Sequence, residues 1–305
     1  MHQASELNMR FDPLIDQADG LRRMLARSNA RVVTVVGARS GLGATSVVLN
    51  LASAWAWSGK EVLILDEHLT TNNVANSLAL KPRYDLLNVV RGDKTLHQVM
   101  LRAGDGVKVL PVARATIALA KLDEIERERF STTLTQAARG MDVVLVDASA
   151  RAFSSVSTSL SGDEPMLLVL TGTASGITES YSMLKQMSRQ NGRQVFDIVV
   201  NKVKDEAEAR AIFDNMAQVA ERNLQVQLVY MGYIPVDEKL QRATQLCRPV
   251  MEAFPRSPCA MAFNELAQNL VRANPDLDDE EIGLANIMQR LMRQTSPNRV
   301  VSAIT

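Results

Sequence analysis

The chain has 305 residues, 46% of them hydrophobic, enough to bury the core of one large α/β unit with appendages or of two domains. Lys plus Arg (34) equals Asp plus Glu (34), so no global charge draws it to nucleic acid, and 4% aromatics argues against a stacking surface for single strands. Cys247 and Cys259 lack metal-type companions, and the sequence shows neither a signal peptide nor a spanning helix, so a cytoplasmic protein without direct nucleic-acid binding is expected.

The first predicted element is a helix over residues 12–25, "DPLIDQADGLRRML". Asp12 is its N-cap, Pro13 opens its first turn, and Leu14, Ala18, Leu21 and Leu25 share one face. After the linker "ARSNA" comes a β-rich run, "RVVTVVG" (31–37), then the glycine loop "ARSGLGATS" and a helical pattern. Further strand-like runs follow at 61–66, 107–112, 142–147, 165–170, 196–201 and 226–235. They are continuous rather than alternating, as strands buried on both faces should be. Helical stretches separate most of them, such as "LDEIERERFSTTLTQAARG" with Gly140 at its C-terminal end. The fold class expected is therefore α/β, a doubly wound, mostly parallel sheet with ligands beyond the carboxyl ends of its strands.

Near the end, "NPDLDDEE" precedes "IGLANIMQRLMR", where Leu284, Ile287, Met288, Leu291 and Met292 form an apolar stripe. This helix either docks on a membrane or packs on the protein's own core. Its polar face carries Arg290 and Arg293, but five acids precede it (Asp276, Asp278, Asp279, Glu280, Glu281). The organisation expected is an N-terminal partner-binding helix and linker (1–30), a central domain (31–272) and an acidic segment with an amphipathic helix and frayed tail (273–305).

A glycine loop between a strand and a helix cradles phosphates on the helix's free amides, and two motifs fit this one. Gly37, Gly41 and Gly43 match the G-x-x-x-G-x-G of short-chain dehydrogenases, and "YSMLK" supplies the Tyr181 and Lys185 of a Tyr-x-x-x-Lys pair. Asp66 would bind a ribose there. That family's Asn-Asn-Ala-Gly stretch, catalytic serine and Pro-Gly are missing at their places. The other reading is a deviant Walker A loop, K-G-G-x-G-K-[ST]. Arg39 stands for its signature lysine, Ser40 for the first glycine and Ala44 for the P-loop lysine, with Thr45 retained. "LILDEHLTTNN" resembles the switch I segment with Asp66 and Asn73 kept and His68 for the second aspartate, and "VLVDASA" resembles Walker B with Asp147 kept.

More of the chain resembles one family. "DQADGLR", "NLASAWAWSGKEVLILD", "ITESYSMLKQM", "VVNKVKDEAEARAIFDNM" and "GYIPVDEKLQRA" through "AMAF" are similar, in order, to segments of the flagellar-number regulators FlhG/FleN, relatives of the division-site ATPase MinD. The resemblance runs from residue 12 to about 272. It implies a MinD-like P-loop domain that binds ATP and Mg²⁺ at Arg39, Ser40, Gly41, Leu42, Gly43, Ala44, Thr45 and Ser46. Asn201 would sit at the adenine edge, and Thr45, Asp66 and Asp147 near the metal. Candidate catalytic residues are Asp66, His68 and Asp147. It further implies an ATP-linked homodimer, peripheral contact with the inner face of the cell membrane, and a transcription activator or switch-complex protein as partner. Asp16, Gln17, Ala18, Leu21 and Arg22 would engage and stimulate an FlhF-type GTPase. Ala44 cannot neutralise phosphate charge and a neutral His68 lacks a carboxylate's fixed acceptor charge, so weak or absent ATP binding and no efficient turnover are expected. Three alternatives remain open at this point: a regulator, a slow ATPase and a dehydrogenase.

Overall fold

The computed structural model describes residues 30–70, 73–149 and 165–273. The expected helices at 12–25 and in the tail, and Ala150 of the Walker B-like segment, lie outside the described residues.

Every apolar run read as a strand is one. These are β1 (Arg31–Gly37), β2 (Val62–Asp66), β4 (Val107–Pro111), β5 (Val143–Ala148), β6 (Met166–Thr171), β7 (Val195–Val203) and β8 (Gln227–Pro235). One strand escaped the reading, the two-residue β3 (Leu101–Arg102), which pairs antiparallel with β4 at the sheet's edge. The sheet order is β3-β4-β2-β5-β1-β6-β7-β8, with every pair except β3·β4 parallel.

This order corrects the dehydrogenase reading. A dinucleotide fold places its first two strands side by side, whereas β5 separates β1 from β2 here. The candidate ribose-binding carboxylate is also committed elsewhere. Asp66 accepts bonds from the His68 and Val74 amides, at 3.0 and 3.1 Å.

Three short helices follow β2: α2 (Val74–Ser77), α3 (Leu86–Val90) and α4 (Leu96–Val99). The longer helices are α1 (Ala44–Trp57), α6 (Glu124–Ala138), α7 (Ala174–Asn191), α8 (Glu206–Leu224) and α11 (Pro258–Arg272). The remainder are α5 (Ala113–Ala118), α9 (Glu238–Gln245) and α10 (Val250–Ala253). Side-chain caps begin several of them: Asp123 for α6, Thr173 for α7, Asp205 for α8 and Ser257 for α11.

Alternate residues of each strand feed opposite faces, which is why the runs read as unbroken apolar stretches. Val32, Val36, Leu63 and Leu65 join one core with Leu86 and Val90 of α3, Phe130 and Leu134 of α6, Leu184 of α7 and Phe213 of α8. Val33, Val35, Val62 and Ile64 join the other with α1, α10 and α11. Each such side chain buried contributes about 1.5–3 kcal/mol against exposure. Helix α1 is buried all round from Val47 to Trp55 because the sheet lies on one side and α11 on the other. Its buried Asn50 stays satisfied: Nδ2 donates to Ser46 O at 2.8 Å, and Oδ1 accepts the Val250 amide at 2.7 Å. Cys259 is buried and its thiol donates to Pro235 O. Burial pushes its pKa up to about 12, which keeps the thiol protonated at neutral pH.

Candidate functional site

The candidate residues come from the carboxyl ends of β1, β2, β5 and β7, where parallel strands open toward ligand. The β1–α1 loop contains Arg39 to Gly43 and leads directly into α1. Gly43 is the residue before that helix, at φ 103°. A Cβ there would be strained and would overlap Asn201 Nδ2, so only glycine fits beneath that side chain. No side chain caps the helix and no acid stands in its first turn, which leaves its positive end open to an anion. Ala44, Thr45 and Ser46 form that first turn, and Ala44 brings no charge to it.

Leu42 is buried, whereas Arg39, Ser40 and Gly41 are exposed around it. Arg39 does not reach over the helix end. Its Nε pairs with Glu179 Oε2 at 2.6 Å, and a second nitrogen donates to Ser175 Oγ at 3.3 Å. Both partners lie on α7, the helix that also carries Tyr181 and Lys185. Tyr181 there packs against the core, while Lys185 is exposed.

Asn201 and its neighbour grip the same loop from β7. Asn201 Nδ2 donates to Leu42 O at 2.8 Å and its Oδ1 accepts the Lys202 amide at 2.9 Å. Lys202, at φ 61°, turns back so that Nζ donates to Gly41 O at 2.8 Å. Asn201 thus has both ends of its amide engaged within the protein, and Lys202 is a loop-binding residue that the sequence reading missed. Its signal was adjacency alone, the lysine following the asparagine in "VVNKVK". An open cavity of about 280 Å³ lies here, lined by Arg39, Gly41, Leu42, Thr171, Thr173 and Lys202 among others.

The charged centre lies beside α1. Register places Asp66 opposite Asp147 on adjacent strands, both buried. Thr45 Oγ1 donates to Asp147 Oδ2 at 2.8 Å, tying α1 to β5. His68 lies across the pair, with Nδ1 3.3 Å from Asp147 Oδ2 and 3.7 Å from Asp66 Oδ1. Burial alone would lower the imidazole's pKa. Hydrogen bonding and charge from Asp147 and Asp66 outweigh it and raise the pKa from 6.5 to about 10. Burial likewise pushes Asp147 up while His68 draws it back. At neutral pH the group balancing the two carboxylates is therefore an imidazolium. This revises the neutral imidazole expected from the sequence, where Asp147 lies 79 positions away (147 − 68) and its proximity depends on the strand order.

The donor set fits Mg²⁺ poorly. Magnesium wants a near-octahedral shell of oxygens and water, but here an imidazole ring faces both carboxylates.

Residues 33–250 match the family model described as "CobQ/CobB/MinD/ParA nucleotide binding domain". Among curated proteins, the chain is 32% identical to "Antiactivator FleN" of Pseudomonas aeruginosa, over 84% of this chain and 92% of that protein. It is 20% identical to "Flagellum site-determining protein YlxH" of Helicobacter pylori, over 88% of this chain and 91% of that one. Among solved structures it resembles the Aquifex aeolicus MinC:MinD cell division protein complex, with TM-score 0.62 and 22% identity over 80% of this chain and 96% of that one.

Proposed function

The chain belongs to the CobQ/CobB/MinD/ParA nucleotide-binding family, and we propose that within it the chain is a regulator of flagellar number or placement that works by protein contact rather than ATP turnover. One observation carries the second half: at the head of α1 the lysine's place is taken by Ala44, and the cation of the site is instead His68, held between Asp66 and Asp147. An ammonium at the lysine position would face developing phosphate charge. The His68 ring faces the protein's own carboxylates, so its charge is spent internally.

The amides of residues 40–46 and the open end of α1 still suit a phosphate. Adenine recognition by Asn201 would have to break its bond to Leu42 O or to the Lys202 amide. Nucleotide therefore binds weakly in this account. Output passes instead through Asp16, Gln17, Ala18, Leu21 and Arg22, which meet an FlhF-type GTPase. Gln17 offers an amide with both donors and acceptors, and Arg22 a guanidinium suited to phosphate or carboxylate.

Calorimetry with ATP and a phosphate-release assay test the nucleotide half. The natural chain should release phosphate at a rate indistinguishable from buffer, and Ala44→Lys should tighten ATP binding by roughly 10- to 100-fold, the ~1.5–3 kcal/mol of a hydrogen bond to a charged group. Turnover by the natural chain at the rate of ordinary MinD-type ATPases would overturn the reading.

A further inference from the structure

We propose that Asp66, His68 and Asp147 form a binding site for a borderline divalent transition metal, Zn²⁺ or Co²⁺, that needs no nucleotide. One oxygen from each aspartate and one imidazole nitrogen lie within 4.8 Å of one another. The two distances from His68 Nδ1, 3.3 Å to Asp147 and 3.7 Å to Asp66, compare with the ~3.4 Å that separates donors each about 2.0–2.1 Å from a tetrahedral zinc. Two of the three donor separations thus lie close to those of a three-ligand site.

A second observation points to a ligand. Asp147 is fully buried, yet its Oδ1 has no hydrogen-bond partner among the described residues. A buried carboxylate oxygen left unpartnered is costly, and an ion held by both oxygens of Asp147 would satisfy it, Oδ2 being the oxygen that faces His68. Thr45 Oγ1, bonded to Asp147 Oδ2 at 2.8 Å, stands behind that ligand and fixes its orientation. Three protein ligands leave a fourth position for water or an anion.

The donor types choose the metal. Imidazole suits zinc, cobalt, nickel and copper, whereas magnesium prefers oxygen and keeps its waters. The substitution that makes this a poor magnesium site thus makes it a fair transition-metal site. A bound ion would fasten the segment after β2 to the end of β5.

The proposal does not depend on the flagellar reading, and its test contains neither nucleotide nor GTPase, so either can fail alone. The full-length chain, stripped with a chelator, is titrated with Co²⁺ and followed by visible ligand-field absorption. One equivalent should bind with the spectrum of nitrogen and oxygen ligands, Zn²⁺ should displace it, and excess Mg²⁺ should not. His68→Ala should weaken Co²⁺ by more than the roughly 10–100-fold that loss of a group behind a ligand costs. His68→Asp restores the charge with oxygen only, and should shift preference toward Mg²⁺, with circular dichroism confirming that both variants fold. His2→Ala and His97→Ala, at the other two histidines of the chain, should leave binding unchanged. The proposal is overturned if Co²⁺ gives no ligand-field spectrum, if folded His68→Ala or His68→Asp retains it, or if Mg²⁺ competes as well as Zn²⁺.

Discussion

At the scale of single residues, cationic charge leaves one place and enters another. Ala44 leaves the start of α1 without a side-chain charge, and His68 sets an imidazolium 3.3 Å from Asp147. The second change has a consequence for stability that can be measured without any ligand. The carboxylates raise the pKa of His68 to about 10 in the folded chain, from the ordinary 6.5 of a histidine. A group raised in this way stabilises the fold fully below its unfolded value and loses that contribution as pH rises through the folded one. In metal-free buffer the melting temperature should therefore decline between pH 6.5 and 10, and His68→Gln should flatten that decline. A profile identical in the two proteins would show that the ring holds no extra proton. The identity of these residues was plain in the sequence, and their roles were not. His68 read as a neutral ring in the place of the second switch I aspartate. Its charge comes from two carboxylates that the order β2-β5 sets side by side.

At the scale of elements, what could be read depended on length and periodicity. Seven strands with unbroken apolar runs were legible because both faces of the sheet are covered. The two residues of β3 carry no pattern, and α2 and α4, of four residues each, are too short for a helical period to show. Such pieces are held by tertiary bonds. Asp85 is the clearest case: buried before α3, it accepts the Leu87 amide there and the Arg114 and Ala115 amides at the start of α5. Asp85→Ala would leave those amides without the carboxylate that now accepts them, and should cost roughly 2–4 kcal/mol in chemical denaturation. A cost below about 0.5 kcal/mol, the range of ordinary surface substitutions, would mean that other groups anchor these helices. The grip of Asn201 and Lys202 on the β1–α1 loop was equally hidden. It joins residues 159 and 161 positions apart, and nothing local announces it.

For the whole molecule, the two cores lie on opposite faces of one sheet and are built from described residues between Ala30 and Leu270. Folding energy should then reside there, with the tail serving placement in the cell. Removing residues 277–305 should shift the melting temperature by less than about 2 °C, roughly what 1 kcal/mol produces in a chain this size. A large drop would place the tail's apolar stripe in the core. No helix among the described residues is long and apolar enough to cross a membrane.

The central claim is that this member of the MinD/ParA family signals by contact, with its own nucleotide chemistry reduced. The most direct measurement is GTP turnover by the FlhF-type GTPase of the same organism, with the full-length chain added in the absence of ATP. The account predicts acceleration that ATP does not alter, that Ala44→Lys does not require, and that Gln17→Ala and Arg22→Ala abolish. An unchanged GTPase rate, or acceleration that appears only when ATP is supplied, would contradict it.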